Sequence, residues 1–346
     1  MKGQSFSSCL AENISGIRVV SRTGGLSGVI GFVLMLFSSA SCFGNYTEQP
    51  EVQKFIDEVA ENHAFEHAWL LAQLAKAERQ QKILDAISRP AERVLEWKDY
   101  RKIFMTEDRI QGGKVFLETH KSTFNRMERE FGVPKEVVAA IIGVETRYGK
   151  FTGKHRVIDA LATLAFDYPP RSDFFRSELE HFFLLSREQG FDPQSLTGSY
   201  AGAMGYGQFI SSSYRNFAVD FDDDGVVDIL HNPVDAIGSV ANYFVAHKWQ
   251  RKQQVVLPVT VQGSAFGEFV HKDLKPKYSW GTLKKAGVTL DTADSLPDDT
   301  MARLMPLQGE SGTEYWLALD NFYTITRYNH SELYAMAVFQ LSQALK

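Results

Sequence analysis

The 346 residues are 44% hydrophobic and 23% charged, with 11 Pro and 26 Gly, which excludes a disordered or collagen-like chain and leaves room for two or three lobes with cores of their own. Against 37 basic side chains stand 42 acidic ones, a net charge of -5, so no broad cationic field is available and nucleic acid is not an expected partner. Cys9 and Cys42 are the only two cysteines, which excludes disulfide, thiolate and cysteine-zinc chemistry from the chain beyond them.

At the amino terminus, Lys2, Arg18 and Arg22 precede Gly24 to Ala40 (GGLSGVIGFVLMLFSSA). A basic stretch, an apolar run and a small-residue end predict a secretory signal over residues 1–42. The apolar run, Val29 to Phe37, falls well short of the ~20 residues that span a bilayer. Ser39-Ala40-Ser41-Cys42 resembles a bacterial lipobox, with Ser39 where an aliphatic residue is usual. Two readings follow: a lipid anchor on Cys42, or ordinary cleavage near Ala40.

From Glu51 to Ser88 apolar residues recur at helical spacing (Phe55, Val59, Phe65, Trp69, Leu70, Leu74), so helices dominate an N-terminal α region, 43–132. Within it His63-Ala64-Phe65-Glu66-His67 matches an H-x-x-E-H metal motif, a coincidence common in helical sequence and not taken as a site. Further helices are expected over Gly112 to Phe131, Pro134 to Thr146, Asp173 to Glu188, Val234 to His247 and Ser331 to Leu345. Strands are expected near Gln253 to Val261 and, from partial alternation, in Glu314 to Arg327. These place a small β-containing lobe at 251–320 and a strand and helix at 321–346. Linker composition marks Asp222 to Pro233 and Thr289 to Asp299. The fold class is mostly α.

The chemistry concentrates in Val133 to Gly149 (VPKEVVAAIIGVETRYG). Pro134 suits a first helical turn, Val137, Val138, Ile141 and Ile142 form an apolar stripe, and Gly149 is placed to end the helix. Glu145 then lies in the last turn, facing the negative end of the helix dipole, and burial among Ile142, Tyr148 and Phe151 would further disfavour its charge. Such a carboxyl group can serve as a general acid, or it can be a helix-end Glu paired with Arg147. Gly143 to Lys150 fails as a phosphate loop, having Phe151 where Ser or Thr must meet magnesium, and Gly202 to Gly207 lacks the spacing of a dinucleotide fingerprint. Asp220, Asp222, Asp224 and Asp228 occupy positions 1, 3, 5 and 9 of a calcium-type loop, with Gly225 at position 6 and the Val226 carbonyl at position 7. His231 stands at position 12, where a Glu is usual, so a plain solvated acidic turn is the competing reading.

The segments GVETRYG (143–149), DALATLAFDYPPRS (159–172), GSYAGAMGYGQFISSSY (198–214), NPVDAIGSVANYF (232–244) and FYTITRYNHSELYAMAV (322–338) resemble, in order, the lytic murein transglycosylase B family, glycoside hydrolase family 103. The resemblance implies a lysozyme-like catalytic core, here 133–250, with an additional α lobe and a small β-containing lobe around a glycan groove. It also implies cleavage of the β-1,4 bond between N-acetylmuramic acid and N-acetylglucosamine in peptidoglycan glycan strands, leaving a 1,6-anhydromuramoyl end. Glu145 matches the catalytic glutamate. It would protonate the glycosidic oxygen and then accept the proton of the sugar's own 6-hydroxyl as that attacks C1.

The same resemblance implies substrate-binding roles for Ser199 and Gln208, beside the turn-rich GAMGYG, and for Tyr100, Arg171, Tyr328, Asn329 and Tyr334. There the aromatic faces would stack on sugars and Arg171 would meet a carboxylate, although Pro170 stands where the family often has a second basic residue. For each Tyr, core packing is the alternative. The family likeness extends the acidic loop to a later closing acid, Asp235, implying a structural Ca2+, while catalysis needs no cofactor. The implied location is the periplasm, with the protein tethered to the outer membrane through Cys42, and partnership with wall-synthesis or division proteins stays open. Spacing alone leaves Asp159, Asp167 and Asp173 open as a second carboxylate, which a hydrolytic muramidase would need. A non-catalytic peptidoglycan-binding scaffold is the third reading.

Overall fold

The computed structural model describes residues 46–88, 95–293 and 295–346, so the signal segment and Cys42 lie outside the described residues. The helical stretch expected from Glu51 forms three helices, α1 (Pro50–His63), α2 (His67–Leu74) and α3 (Gln81–Ile87). Ala64, left-handed at φ 53, ends α1, so His63 and His67 fall on separate helices. They meet different carboxylates, Glu180 at 2.5 Å and Asp57 at 3.1 Å, which removes the metal motif.

After α4 (Trp97–Phe104), the single helix expected over 112–131 is two, α5 (Glu107–Thr119) and α6 (Lys121–Phe131), joined at His120. Helix α5 begins early because the Thr106 side chain accepts the Arg109 N–H, a capping signal that hydrophobic spacing does not register. Next comes α7 (Lys135–Thr146), which carries Glu145 and is buried without interruption from Val137 to Thr146. A helix buried all round must sit at the centre of others, and α5 and α6 pack on it.

The chain continues through the short strand β1 (His155–Arg156), α8 (Val157–Asp167), α9 (Ser172–Gln189) and β2 (Thr197–Gly198), which pairs antiparallel with β1. Then follow α10 (Ser211–Phe217) and α11 (Pro233–Ala246), the second of which also packs on α7. One hydrophobic core runs from Tyr46 to Leu345, so the expected division at residue 132 does not separate two cores.

The β-containing lobe holds β3 (Val256–Val261), β4 (Tyr278–Ser279), α12 (Trp280–Lys285), β5 (Val288–Leu290), β6 (Met301–Gly309) and β7 (Gly312–Ala318). Its antiparallel sheet runs β4-β6-β7-β3-β5 over a separate small core that includes Leu257, Trp280, Leu304 and Leu317. Strand β6 was not legible because MARLMPLQG does not alternate; Ala302 to Met305 are buried in succession. Pro306 is tolerated there because β4 pairs only with Met301 and Ala302, leaving β6 an edge at that point. The proposed linker at 289 begins inside β5.

Beyond β7 the chain forms two helices, α13 (Asp320–Tyr328) and α14 (Glu332–Ala344), not the strand and helix expected for 321–346. The residues that read as a strand, FYTITR, bury Phe322 and Ile325 three apart, and the Asn321 amide donates to the carbonyls of Gln250 and Gln253. Helix α14 returns to pack along α7.

Gly143 lies inside α7, where glycine normally weakens a helix by about 0.5–1 kcal/mol relative to alanine. A Cβ there would stand 2.5 Å from the Tyr148 hydroxyl, and one at Gly113 would stand 2.4 Å from it, so both glycines make the slot that takes the Tyr148 ring. Helix propensity expects Gly143→Ala to stabilise, whereas packing expects a loss of about 1–3 kcal/mol. We expect the loss, read as a lower urea midpoint at unchanged slope.

Candidate active site

Glu145 is 1% exposed, and its Oε1 accepts a 2.6 Å hydrogen bond from the Tyr334 hydroxyl of α14. Burial penalises the ionised carboxylate and the donated bond favours it, so the two oppose each other on one group. Burial and the nearby Glu145 charge push the Tyr334 hydroxyl well above its ordinary range. Tyr334 therefore stays protonated and donates to the carboxylate. Tyr328 is pushed up for the same two reasons, burial first, and its hydroxyl donates to the Gly207 carbonyl at 2.5 Å.

The end of α7 is fixed from two sides. Arg109, buried on α5, donates from Nε to the Gly143 carbonyl at 3.0 Å and from Nη1 to the Ile103 carbonyl, which places a cation at the negative end of the helix that carries Glu145. Thr146 donates to the Tyr206 carbonyl at 2.9 Å and accepts the Gly149 N–H at 2.9 Å. Between them the chain turns through three left-handed residues, Arg147 (φ 50), Tyr148 (φ 62) and Gly149 (φ 83). Two non-glycine residues at positive φ in succession are uncommon and need such anchoring. Arg109 had no signal in the sequence, since a charged residue on a helix reads as solvent-facing.

The neighbours expected for Glu145 are only partly those found. Phe151 is 49% exposed beneath the Arg147 guanidinium, and Tyr148 turns to the Arg109 carbonyl at 2.9 Å. Tyr100, Tyr328 and Tyr334 are almost wholly buried, so in this structure none offers a ring face for a sugar to stack on. Their place is around the acid: Tyr334 holds it, Tyr328 ties α13 to the 205–208 turn, and Tyr100 lies close enough to Tyr334 to influence its hydroxyl.

Gln208, at φ 51, donates its amide to the Thr152 and Gly205 carbonyls, each at 3.0 Å, and so fastens that turn to the segment leaving α7. Ser199 accepts the N–H groups of Ala201 and Ala203 and is buried. Asn329, 7% exposed, sits in extended backbone between α13 and α14. Arg171 lies over Phe174 at 4.2 Å and near Glu178. Glu178 is a residue the sequence did not single out. It accepts both the N–H and the hydroxyl of Ser212, capping α10 directly after the Gln208 turn, while burial pushes its carboxyl up and Ser212 and Arg171 restrain it.

The three acids left open as a second carboxylate have other places. Asp159 is buried under a bidentate Arg156, both contacts 2.8 Å, and also accepts the Glu78 N–H. Asp167 takes the Tyr46 hydroxyl at 2.6 Å and Arg79 at 3.1 Å. Asp173 is an exposed residue of the first turn of α9.

In the acidic loop, Asp220, Asp222 and Asp235 each bring a carboxylate oxygen within 4.8 Å of the others. Asp224 and Asp228 instead accept backbone N–H groups, from Val226 and from Leu230 and His231. Val226 is exposed and His231 is salt-bridged to Asp228 at 3.4 Å. Asp235 is fully buried at the start of α11 and accepts the N–H groups of Phe221 and Asp228; burial pushes its carboxyl up, and those two bonds hold it back. Clustered oxygen donors, one of them a desolvated acid, fit a hard cation such as calcium.

A mostly helical, lysozyme-like fold that encloses Glu145 at the end of α7 is the architecture of the lytic transglycosylases. The chain belongs to the transglycosylase SLT domain family, whose pattern it matches over residues 47–343. It is 45% identical over 311 residues to the membrane-bound lytic murein transglycosylase B of Escherichia coli (strain K12), covering 87% of this chain and 84% of that one. The catenated lytic transglycosylase SltB1 of Pseudomonas aeruginosa is 49% identical, with a TM-score of 0.83 over 87% of this chain and 98% of its own. Escherichia coli lytic transglycosylase Slt35 in complex with calcium is 45% identical, with a TM-score of 0.80 over 87% of this chain and 94% of its own.

Replacing Tyr334 by Phe removes a hydroxyl without changing the packed ring. A charge-assisted hydrogen bond is worth about 1.5–3 kcal/mol, so Tyr334→Phe is expected to lower kcat about 10- to 100-fold with KM nearly unchanged. Steady-state kinetics on soluble glycan strands, beside a thermal melt, reads both.

Proposed function

We propose that the protein is a lytic transglycosylase of the bacterial envelope, with Glu145 as its single catalytic acid and base. It cleaves the β-1,4 bond between N-acetylmuramic acid and N-acetylglucosamine in peptidoglycan, for turnover and remodelling of the wall. Glu145 donates its proton to the glycosidic oxygen as the C1–O bond breaks. The resulting carboxylate then accepts the 6-hydroxyl proton as O6 bonds to C1, closing the 1,6-anhydro ring with no water consumed and no protein nucleophile.

The observation that carries this reading is the enclosure of Glu145, at 1% exposure, while Asp159 and Asp167 are committed to other partners. A hydrolase needs a second carboxylate about 5–5.5 Å or about 6.5–9.5 Å away, to attack or to activate water. With Asp159 and Asp167 engaged elsewhere, the reading takes the hydroxyl that the substrate brings with it as the nucleophile. A non-catalytic scaffold would have no use for a protonatable acid gripped by a tyrosine that cannot lose its proton.

Ser199, Gln208 and Asn329 are the polar groups this reading assigns to the N-acetyl and hydroxyl groups of the glycan, and Arg171 the cation it assigns to a peptide-stem carboxylate. Mass spectrometry of muropeptides released from purified sacculi tests the function. We expect 1,6-anhydro products from the parent and a fall of at least about 10³-fold in Glu145→Gln. Reducing muramic acid ends from the parent would transfer the reading to a muramidase, and sacculus binding without products would transfer it to a scaffold.

Calcium at Asp220, Asp222 and Asp235, with the Val226 carbonyl and the loop acids Asp224 and Asp228 as further ligands after rearrangement, would be structural and would cross-link the loop to α11. At a calcium concentration 100 times the dissociation constant the stabilisation is about 2.7 kcal/mol. The melting midpoint should rise by about 5 °C on adding calcium and fall back with a chelator, and Asp222→Ala should abolish the response. No calcium-linked shift in the parent would remove the site.

The cellular place we infer is the periplasmic face of the outer membrane, through a lipid on Cys42. The membrane-bound name of the Escherichia coli relative supports it, and no helix among the described residues is long and apolar enough to cross a membrane.

A further inference from the structure

We propose that Arg303, in the β-containing lobe, is a positioning residue for the reaction, acting through Glu332 and Tyr334 on Glu145. The inference rests on the reading of Glu145 as the catalytic acid. Arg303 lies on β6 and is 2% exposed, a guanidinium inside a lobe whose own core is aliphatic and aromatic. Its Nη2 donates to Glu332 Oε2 at 2.5 Å and to the His271 carbonyl at 3.2 Å. Nε and Nη1 are buried with no hydrogen-bond partner among the described residues. Among the described residues Glu332 is thus the carboxylate that pairs with the buried charge, and a buried guanidinium cannot release its anion without a large penalty.

Glu332 is the first residue of α14, and its charge also suits that end of the helix. Two residues on, Tyr334 gives its N–H to the Ser331 side chain at 3.3 Å and its hydroxyl to Glu145 at 2.6 Å. The first turn of α14 is therefore clamped from outside by Arg303 and from inside by Glu145. A shift of that turn by 1 Å would break the Tyr334 bond, and misplacement on that scale at a distance from the chemistry costs rate, not binding. A second contact runs in parallel: β6 packs on α4, which carries Tyr100, and α4 packs on α14. The small lobe, which has a core cluster of its own, thereby helps to set the acid.

The test is a double-mutant cycle on soluble, uncross-linked glycan strands, with anhydro product as the readout and melting midpoints measured alongside. Arg303→Met and Glu332→Gln should each lower kcat about tenfold with KM within about twofold. Because both act through the tyrosine, Arg303→Met combined with Tyr334→Phe should be no slower than Tyr334→Phe alone. Losses that multiply in the double variant, a loss confined to KM, or unchanged kcat would each overturn the proposal. If Arg303→Met shows no cooperative melt, the cycle of Glu332→Gln with Tyr334→Phe carries the same comparison. Glu145→Gln is run in parallel. Turnover in that variant would overturn the underlying assignment of the acid, whereas an inactive Glu145→Gln beside an additive cycle would overturn only the role of Arg303.

Discussion

A carboxyl group sealed from water at the end of a buried helix can be kept in one rotamer only by the protein, and here the 2.6 Å bond from Tyr334 to Glu145 does so across 189 residues of sequence. The bond sets demands on everything around it. Helix α7 must end at a fixed point, which Arg109 and Thr146 secure, and α14 must present its first turn within hydrogen-bonding tolerance, which Ser331 and Glu332 secure. The donor must also keep its proton, and burial of Tyr334 beside a carboxylate meets that condition by disfavouring the phenolate.

The parts of this arrangement that obey periodicity were legible before any coordinates. The apolar stripe of 137–142 located α7 and placed Glu145 in its last turn, and α9, α11 and α14 lie within two residues of their expected spans. What periodicity does not encode was missed for identifiable reasons. FYTITR is rich in β-branched and aromatic residues, yet Asn321 and the 3-residue spacing of Phe322 and Ile325 make it helical once the 250–253 turn is in place. Strand β6 is buried on both faces and so loses the alternation that announces a half-exposed strand.

Side-chain roles were less legible than elements. Family likeness marked Tyr100, Tyr328 and Tyr334 without distinguishing a sugar platform from a buried brace, since aromatic residues serve either purpose. In this structure all three are buried. Arg109, Glu178 and Arg303 are charged residues that sequence patterning assigns to solvent, yet each is buried and each holds a specific partner: Arg109 the Gly143 carbonyl, Glu178 the start of α10, and Arg303 Glu332 at the start of α14. Buried charges with specific partners are costly, and their recurrence on the elements leading to one carboxyl group indicates where geometry is held most tightly.

The acidic loop follows the same logic one step removed. Asp235 closes the loop by accepting two backbone N–H groups while fully buried, so α11 and the 220–228 segment already cohere through neutral donors. What neutral donors cannot do is offset the mutual repulsion of Asp220 and Asp222 near that buried acid, which adds to the desolvation that pushes Asp235 up. A divalent cation would remove the repulsion and the desolvation penalty together, and α11 packs directly on α7. The loop therefore bears on the site through rigidity: a firmer α11 steadies one flank of α7, the helix that carries Glu145.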